Sequence, residues 1–235
     1  MDFPDIEVGP DPSAEEVSKA ASLLRQHWGI TSGPIPHVVR LLEAGGAIVG
    51  RLGTRSSRVD AFSYSTGPRP VVILGSEKKD KARGRFSAAH ELGHLVMHHD
   101  AEPGDAQVER QANEFASALL MPAEDIFDEL PTTADFSAFL ELKRVWGVSI
   151  QALLFRSRRL GRMTESTYRR AMTEVSANGW RRSEPDHLGP VESPEVLRRA
   201  FNLLNERRGV GLAEVAEKTH LPRDVLVELL EDHSL

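Results

Sequence analysis

His90-Glu91-Leu92-Gly93-His94 lies inside a stretch, Lys81 to His98, whose periodicity predicts a helix. Residues four apart on a helix stand one turn above each other on the same face. His90 and His94 can therefore reach one metal ion together, and Glu91 can reach a water bound at that ion. Two imidazoles, a carboxylate base and an open coordination position are the parts of a hydrolytic zinc site. H-E-x-x-H is short enough to occur by accident, so the flanks decide. Phe86, Ala88, Ala89, Leu92, Leu95 and Val96 predict burial over much of the helix, which does not suit a surface helix with two exposed histidines. Buried imidazoles need partners, and a metal is the partner this spacing supplies.

A catalytic zinc takes a third protein ligand. The 235 residues contain no cysteine, so that ligand is His, Glu or Asp, and the chain suits a reducing cytoplasm. A third histidine just behind the pair would need glycine at 97 and histidine at 100. Met97 and Asp100 stand there, and His98 reads as a partly exposed helix-end residue. The next helix, Gln107 to Met121, offers Glu109 and Glu114. Its apolar face is Ala112, Phe115, Ala116, Leu119 and Leu120. Glu109 lies at the edge of that face, whereas Glu114 points toward solvent. Glu109 is the expected third ligand, against the alternative of a solvated first-turn carboxylate favoured by the helix dipole. Asn113, one turn after Glu109, is placed to accept the spare ring N–H of a ligand histidine. Asp100 or Asp105 from the intervening loop is the weaker route.

Outward from this core the chain reads as a helix from Ser13 to Trp28, with Ser13 and Glu16 as its cap, and a second helix opening at Pro34 and ending at Gly45-Gly46. Short β runs follow at Ala47 to Val49, Val59 to Ser65 and Val71 to Leu74. Pro122 opens a short helix to Leu130. Beyond Pro131 everything reads as helix: Ser137 to Val145, a turn at Gly147, then Ser149 to Leu160 has helix-turn-helix spacing, and Thr164 to Ser176 follows. Residues 183–194, with Pro185, Gly189, Pro190 and Pro194, read as an extended linker. The expected organisation is a tail at 1–12, an α+β domain at 13–130, a helical domain at 131–182, the linker at 183–194 and a helical segment at 195–235.

The net charge of −6 is unevenly spread. From Glu141 to Arg182 there are ten basic and three acidic side chains, a net of +7, which leaves −13 for the rest. This reversal suggests a surface for an acidic partner, centred on Arg156, Arg158 and Arg159; a solvated face complementing the rest of the molecule is the alternative. No apolar run is long enough to span a membrane, and the acidic N-terminus does not read as a secretory signal, so the expected location is the cytoplasm.

Arg85-Phe86-Ser87-Ala88-Ala89-His90-Glu91-Leu92-Gly93-His94, followed by Glu109-Arg110-Gln111-Ala112-Asn113-Glu114-Phe115-Ala116 and by Leu119-Leu120-Met121-Pro122, resembles the ImmA/IrrE family of metallopeptidases. The resemblance covers roughly Ser13 to Met172, with the specific motifs at 85–122. It implies a zincin-like metallopeptidase domain with a small sheet, followed by an all-helical, helix-turn-helix-like domain. It also implies one catalytic zinc (manganese as alternative) on His90, His94 and Glu109, with Glu91 as general base. The implied activity is cleavage of a helix-turn-helix repressor in a mobile-element or stress-response circuit. Family members often carry Glu where this chain has Gln111, and longer members carry a sensor domain for which the residues after the linker are too few. Tyr64, His98 and Arg83 are candidate donors to the oxyanion.

Two other readings remain: a DNA-binding transcriptional regulator with a structural metal site, and a non-catalytic protein that titrates a repressor. A recognition helix reads bases from its N-terminal end, and Ile150, Gln151, Ala152 and Leu153 are mostly apolar, so no sequence-specific DNA binding is expected. An intact Glu91 favours the enzyme over both, since metal binding alone does not need it.

Overall fold

In the computed structural model, which describes residues 4, 6, 8–9, 11–53, 61–65, 69–75, 80–98 and 104–231, Ser13 and Glu16 cap each other reciprocally. Ser13 Oγ accepts from Glu16 N at 3.3 Å and Glu16 Oε2 accepts from Ser13 N at 2.8 Å, which starts α1 (Ala14–His27). The helix expected from Pro34 begins later, as α2 (Val38–Gly45). Pro36 disfavours helical geometry in the residue before it, and His37 takes over the cap, its Nδ1 accepting from Arg40 N at 3.1 Å.

β1 (Ile48–Leu52), β2 (Ala61–Tyr64) and β3 (Val71–Gly75) form one sheet in the order β1-β3-β2. β1 runs parallel to β3, with Val49 opposite Val72, and β2 runs antiparallel to it, with Ser63 opposite Val72. The most apolar run therefore takes the central place, as a strand covered on both faces should. Val59 and Asp60 of the expected second strand lie outside the described residues.

The rest is helical: α3 (Lys81–Met97), α4 (Ala106–Leu120), α5 (Ala123–Ile126), α6 (Phe136–Trp146), α7 (Ile150–Arg159), α8 (Glu165–Ala177), α9 (Val196–Arg208), α10 (Leu212–Thr219) and α11 (Arg223–Leu230). The fold is mixed α+β, with a small three-stranded sheet and many helices. Among the described residues no helix is long and apolar enough to cross a membrane.

One continuous core runs across the border expected at 130/131. Leu24, Leu42, Val72, Leu92, Phe115 and Leu119 belong to the same buried cluster as Phe139, Trp146, Leu153 and Leu154. The segment read as a linker, 183–194, is a strap held inside the structure. Glu184 and Glu192 are 7% and 4% exposed. Glu184 accepts from Lys143 Nζ at 3.0 Å and from the main-chain N–H of Ile150 at 2.8 Å. Glu192 pairs with Arg85 and accepts from Val39 N at 3.0 Å, while its own carbonyl accepts from Arg51 Nη2 at 2.8 Å. Prolines and a glycine signalled a chain without regular structure, which the strap is; they carried no information about its burial. Beyond it, α9 and α11 pack on β1, and Glu228 accepts from Gly53 N. The strand at that edge of the sheet is thus covered, as exposed edges generally must be.

Candidate metal centre

The metal-ligand candidates meet because α3 and α4 pack closely. Gly93 sits at their contact: a Cβ there would lie 3.1 Å from Phe115 Cδ1 and 3.3 Å from Ala112 Cα. A side chain there would require Phe115 or the α4 backbone to give by a few tenths of an ångström, so glycine allows the close approach that brings Glu109 near the histidines. Sequence reading gave Gly93 no role, since only the helix pairing reveals it. Asp105, the weaker ligand candidate, caps α4 instead, accepting from Gln107 N at 2.7 Å and Val108 N at 3.2 Å. Asp100 lies outside the described residues.

His90, His94 and Glu109 form one group of donor atoms. His90 Nε2 and His94 Nε2 are 3.0 Å apart. Glu109 Oε2 is 3.3 Å from His90 Nε2, and Oε1 is 3.7 Å from His94 Nε2. Tetrahedral zinc at about 2.0–2.1 Å from its ligands requires ligand atoms roughly 3.3 Å apart, and these separations bracket that figure.

The proton arrangement around the rings tests the fit further. His90 Nδ1 is 3.0 Å from Asn113 Oδ1, an acceptor, so that nitrogen carries the hydrogen. His94 Nδ1 is 3.1 Å from His98 Nδ1, and His98 Nε2 is 3.0 Å from Gln111 Oε1. Gln111 Oε1 can only accept, so the assignment propagates: His98 donates to Gln111, and His94 donates to His98. Both Nε2 atoms of the pair are then left with lone pairs facing each other and the Glu109 carboxylate, an arrangement that suits a bound cation. Burial, with His90 and His98 beside it, pushes the His94 imidazole down to about 4. At neutral pH the ring is therefore uncharged and able to ligate. His98 is the partly exposed helix end expected from sequence, and it is also a link in this chain, as is Gln111.

Glu91 is 5% exposed, on the side of α3 that meets β2; Ser63 Oγ donates to its carbonyl at 3.5 Å. Burial holds the Glu91 carboxyl above its ordinary range, and the neighbouring Glu109 charge pushes the same way. Glu109 is more open, with its side chain 44% exposed, so the donor set faces solvent on one side. Tyr64, on β2, is exposed.

Two expectations about α4 and α7 are overturned. Glu114 does not point to solvent: it is 8% exposed, with Arg159 Nε at 2.9 Å and Arg156 Nη1 at 3.7 Å. Arginine side chains from α7 reach across to the face of α4 that helix periodicity alone assigned to water. Arg156, expected on a partner-facing surface, is buried and donates to the Met121 carbonyl at 2.9 Å. Arg159 is spent on Glu114, and Arg158 pairs with Glu165 at 3.0 Å while lying over the Phe155 and Tyr168 rings. The charge excess of this region is thus partly internal.

Residues 46–158 match the model of the Peptidase_M78 family, described as the IrrE N-terminal-like domain. No curated protein matches the chain.

Proposed function

With residues 46–158 belonging to the M78 peptidase family, and so to a metallopeptidase domain, we propose that this chain is a zinc-dependent endopeptidase of the cytoplasm. Its proposed substrate is a helix-turn-helix transcriptional repressor, whose cleavage derepresses genes of a mobile-element or stress-response circuit. The observation that carries the enzymatic part is the placement of a buried carboxylate, Glu91, next to an open His-His-Glu donor set. The family resemblance supports the choice of repressor.

Zinc held by His90, His94 and Glu109 would supply Lewis acidity toward a peptide carbonyl and toward water. Glu91 does the proton work: its carboxylate accepts from the attacking water and then donates to the leaving amine. Its raised proton affinity suits both halves of that task. His98 and Asn113 hold the two imidazoles in the ligating tautomer. β2 offers a cradle for substrate. It pairs with β3 on one side only among the described residues, so its other edge can take an extended peptide by main-chain hydrogen bonding.

The DNA-binding reading is less well supported. Glu184 sits at the N-terminal end of α7, accepting from the N–H groups of Ile150 and Gln151. A carboxylate there occupies the position from which a recognition helix would meet DNA.

The test uses purified, zinc-loaded protein, the repressor encoded beside its gene, and casein. One discrete cut in the repressor is expected, sensitive to chelator and absent in Glu91→Gln, with little cleavage of casein. His90→Ala, His94→Ala and Glu109→Ala should lose bound metal, while Glu91→Gln keeps it. Rapid casein digestion would indicate a general protease, and loss of metal in Glu91→Gln with retention in Glu109→Ala would overturn the roles.

A further inference from the structure

A cavity of about 950 Å³ opens beside the ligand cluster, between α3, α4, α7, the start of α1 and the turn around residue 181. Asn113 lines it and also touches His90 Nδ1 at 3.0 Å. Phe86, one helical turn before His90, lines it too. None of the three ligand side chains lines it; Asn113 joins it to the donor set from behind the His90 ring, at the non-ligating nitrogen.

Its wall carries surplus positive charge. Arg83, Arg110, Arg158, Arg159, Arg181 and Arg182 line it. The acidic groups of the wall are already engaged: Glu114 with Arg159 at 2.9 Å, Glu184 with Lys143 at 3.0 Å, Asp80 with Arg83 N at 2.8 Å, and Asp11 with Gln107 Nε2. Arg110 and Arg182 are exposed and form no ion pair among the described residues. The wall also holds polar atoms with no hydrogen-bond partner among the described residues: Gln111 Nε2, Ser117 Oγ and Arg158 Nε. Gln111 and Ser117 are 7% and 1% exposed. These three atoms are themselves covered by protein, so the groups that an entering segment would meet are the exposed guanidinium groups of Arg110 and Arg182. Phe86, Phe155 and Trp180 add aromatic surface to the same wall.

We propose that this cavity seats an acidic segment of the protein substrate, carrying an aromatic or aliphatic side chain and flanking the bond to be cut. The inference rests on the peptidase reading above. Carboxylates of the segment meet Arg110 and Arg182, its apolar side chain lies against Phe86, Phe155 and Trp180, and its main chain leads past Asn113 to the donor set. Arg158 and Arg159 thus take part as cavity wall rather than as an outward face of α7. Charge complementarity of this kind selects partners and speeds encounter more than it adds affinity, which suits an enzyme that must spare other proteins.

The probe is a fluorescein-labelled dodecapeptide of glutamate and leucine with one tryptophan, compared by anisotropy with the same peptide carrying lysine for every glutamate. The acidic peptide should bind and the lysine peptide should not. Arg110→Glu with Arg182→Glu should weaken binding by about tenfold or more, with zinc content and urea midpoint unchanged. Glu91→Gln should bind like the wild type. Equal binding of both peptides, no binding of the acidic one, or indifference to the double reversal would each overturn the proposal. So would a single-stranded oligonucleotide that binds more tightly than the peptide and is lost in the same variant. Because binding is read without cleavage, the two readings fail separately. Peptide binding as expected with no repressor cut sinks the peptidase reading alone. Repressor cleavage with KM untouched by the double reversal sinks the cavity proposal alone.

Discussion

Two polar clusters hang on α3, one on each half, and they are built on opposite terms. On the N-terminal half, Arg85 is 3% exposed and each of its guanidinium nitrogens finds an acceptor: Nε meets the Gly147 carbonyl at 2.9 Å, Nη2 meets Ile35 O at 2.7 Å, and Nη1 meets Pro36 O and the Glu192 carboxylate. On the C-terminal half, His90, His94 and Glu109 point acceptor at acceptor, with no donor of their own between them. A closed cluster binds one part of a protein to another. An open one has donor atoms to offer a cation. The same helix carries both, so what separates a staple from a site is whether the groups satisfy each other, not how many charges are gathered.

The largest effect is expected where the closed cluster is broken. Glu192→Ala leaves the Arg85 guanidinium buried without its counter-charge and Val39 N without its acceptor. Removing one partner of a buried pair costs about 3–5 kcal/mol, which the urea midpoint reads directly. Metal affinity of the folded protein should stay close to wild type. If metal affinity collapses together with stability, the two halves of α3 act as one unit and the contrast drawn here is wrong. Gly147 belongs to the same staple: at its φ of 65° a side chain would be strained, and a Cβ there, 2.9 Å from Arg85 Nε, would displace the guanidinium.

Next comes Glu114, which helix periodicity placed in water. Because it lies between Arg156 and Arg159, with Arg156 only 2% exposed, Glu114→Ala should cost about 3 kcal/mol and behave as a second closed cluster. Zinc content should be unaffected. A midpoint within about 0.5 kcal/mol of wild type, as for an ordinary surface position, would restore the outward-facing assignment.

These two residues show what the sequence made legible and why the rest was not. The i, i+4 spacing of His90 and His94 and the phase of Glu109 on α4 are properties of single helices, so the donor set could be named before any tertiary contact was known. The reciprocal cap at Ser13 and Glu16 is as local. Glu114 and Arg156 were misjudged because their environment is made by ion pairs between α4 and α7, residues far apart in the chain. The strap was misjudged for the same reason: Glu184 and Glu192 look like solvated loop carboxylates until Lys143, Arg85 and Arg51 are brought to them. The relay through His98 to Gln111 needed the α3–α4 crossing as well.

The smallest effect should come from the border of the open cluster, at Asn113. It touches no metal-ligating atom. It accepts the His90 Nδ1 hydrogen at 3.0 Å and so fixes which nitrogen of that ring is left to ligate. Loss of such an outer partner generally weakens metal binding by about 10–100-fold, and Asn113→Ala should fall in that range when zinc is titrated against a competing chelator. Stability of the metal-free protein should change by no more than about 0.5 kcal/mol, because the position is exposed on α4. Asn113→Asp is the sharper variant. A carboxylate still accepts the ring hydrogen and makes the imidazole a more basic ligand, so zinc should bind at least as tightly as in the wild type. If alanine and aspartate weaken binding equally, the contact is not orienting His90, and the ring is held by its packing on α3 alone. If alanine instead destabilises the metal-free fold as strongly as Glu114→Ala, Asn113 belongs with the staples, and the open cluster ends at Glu109.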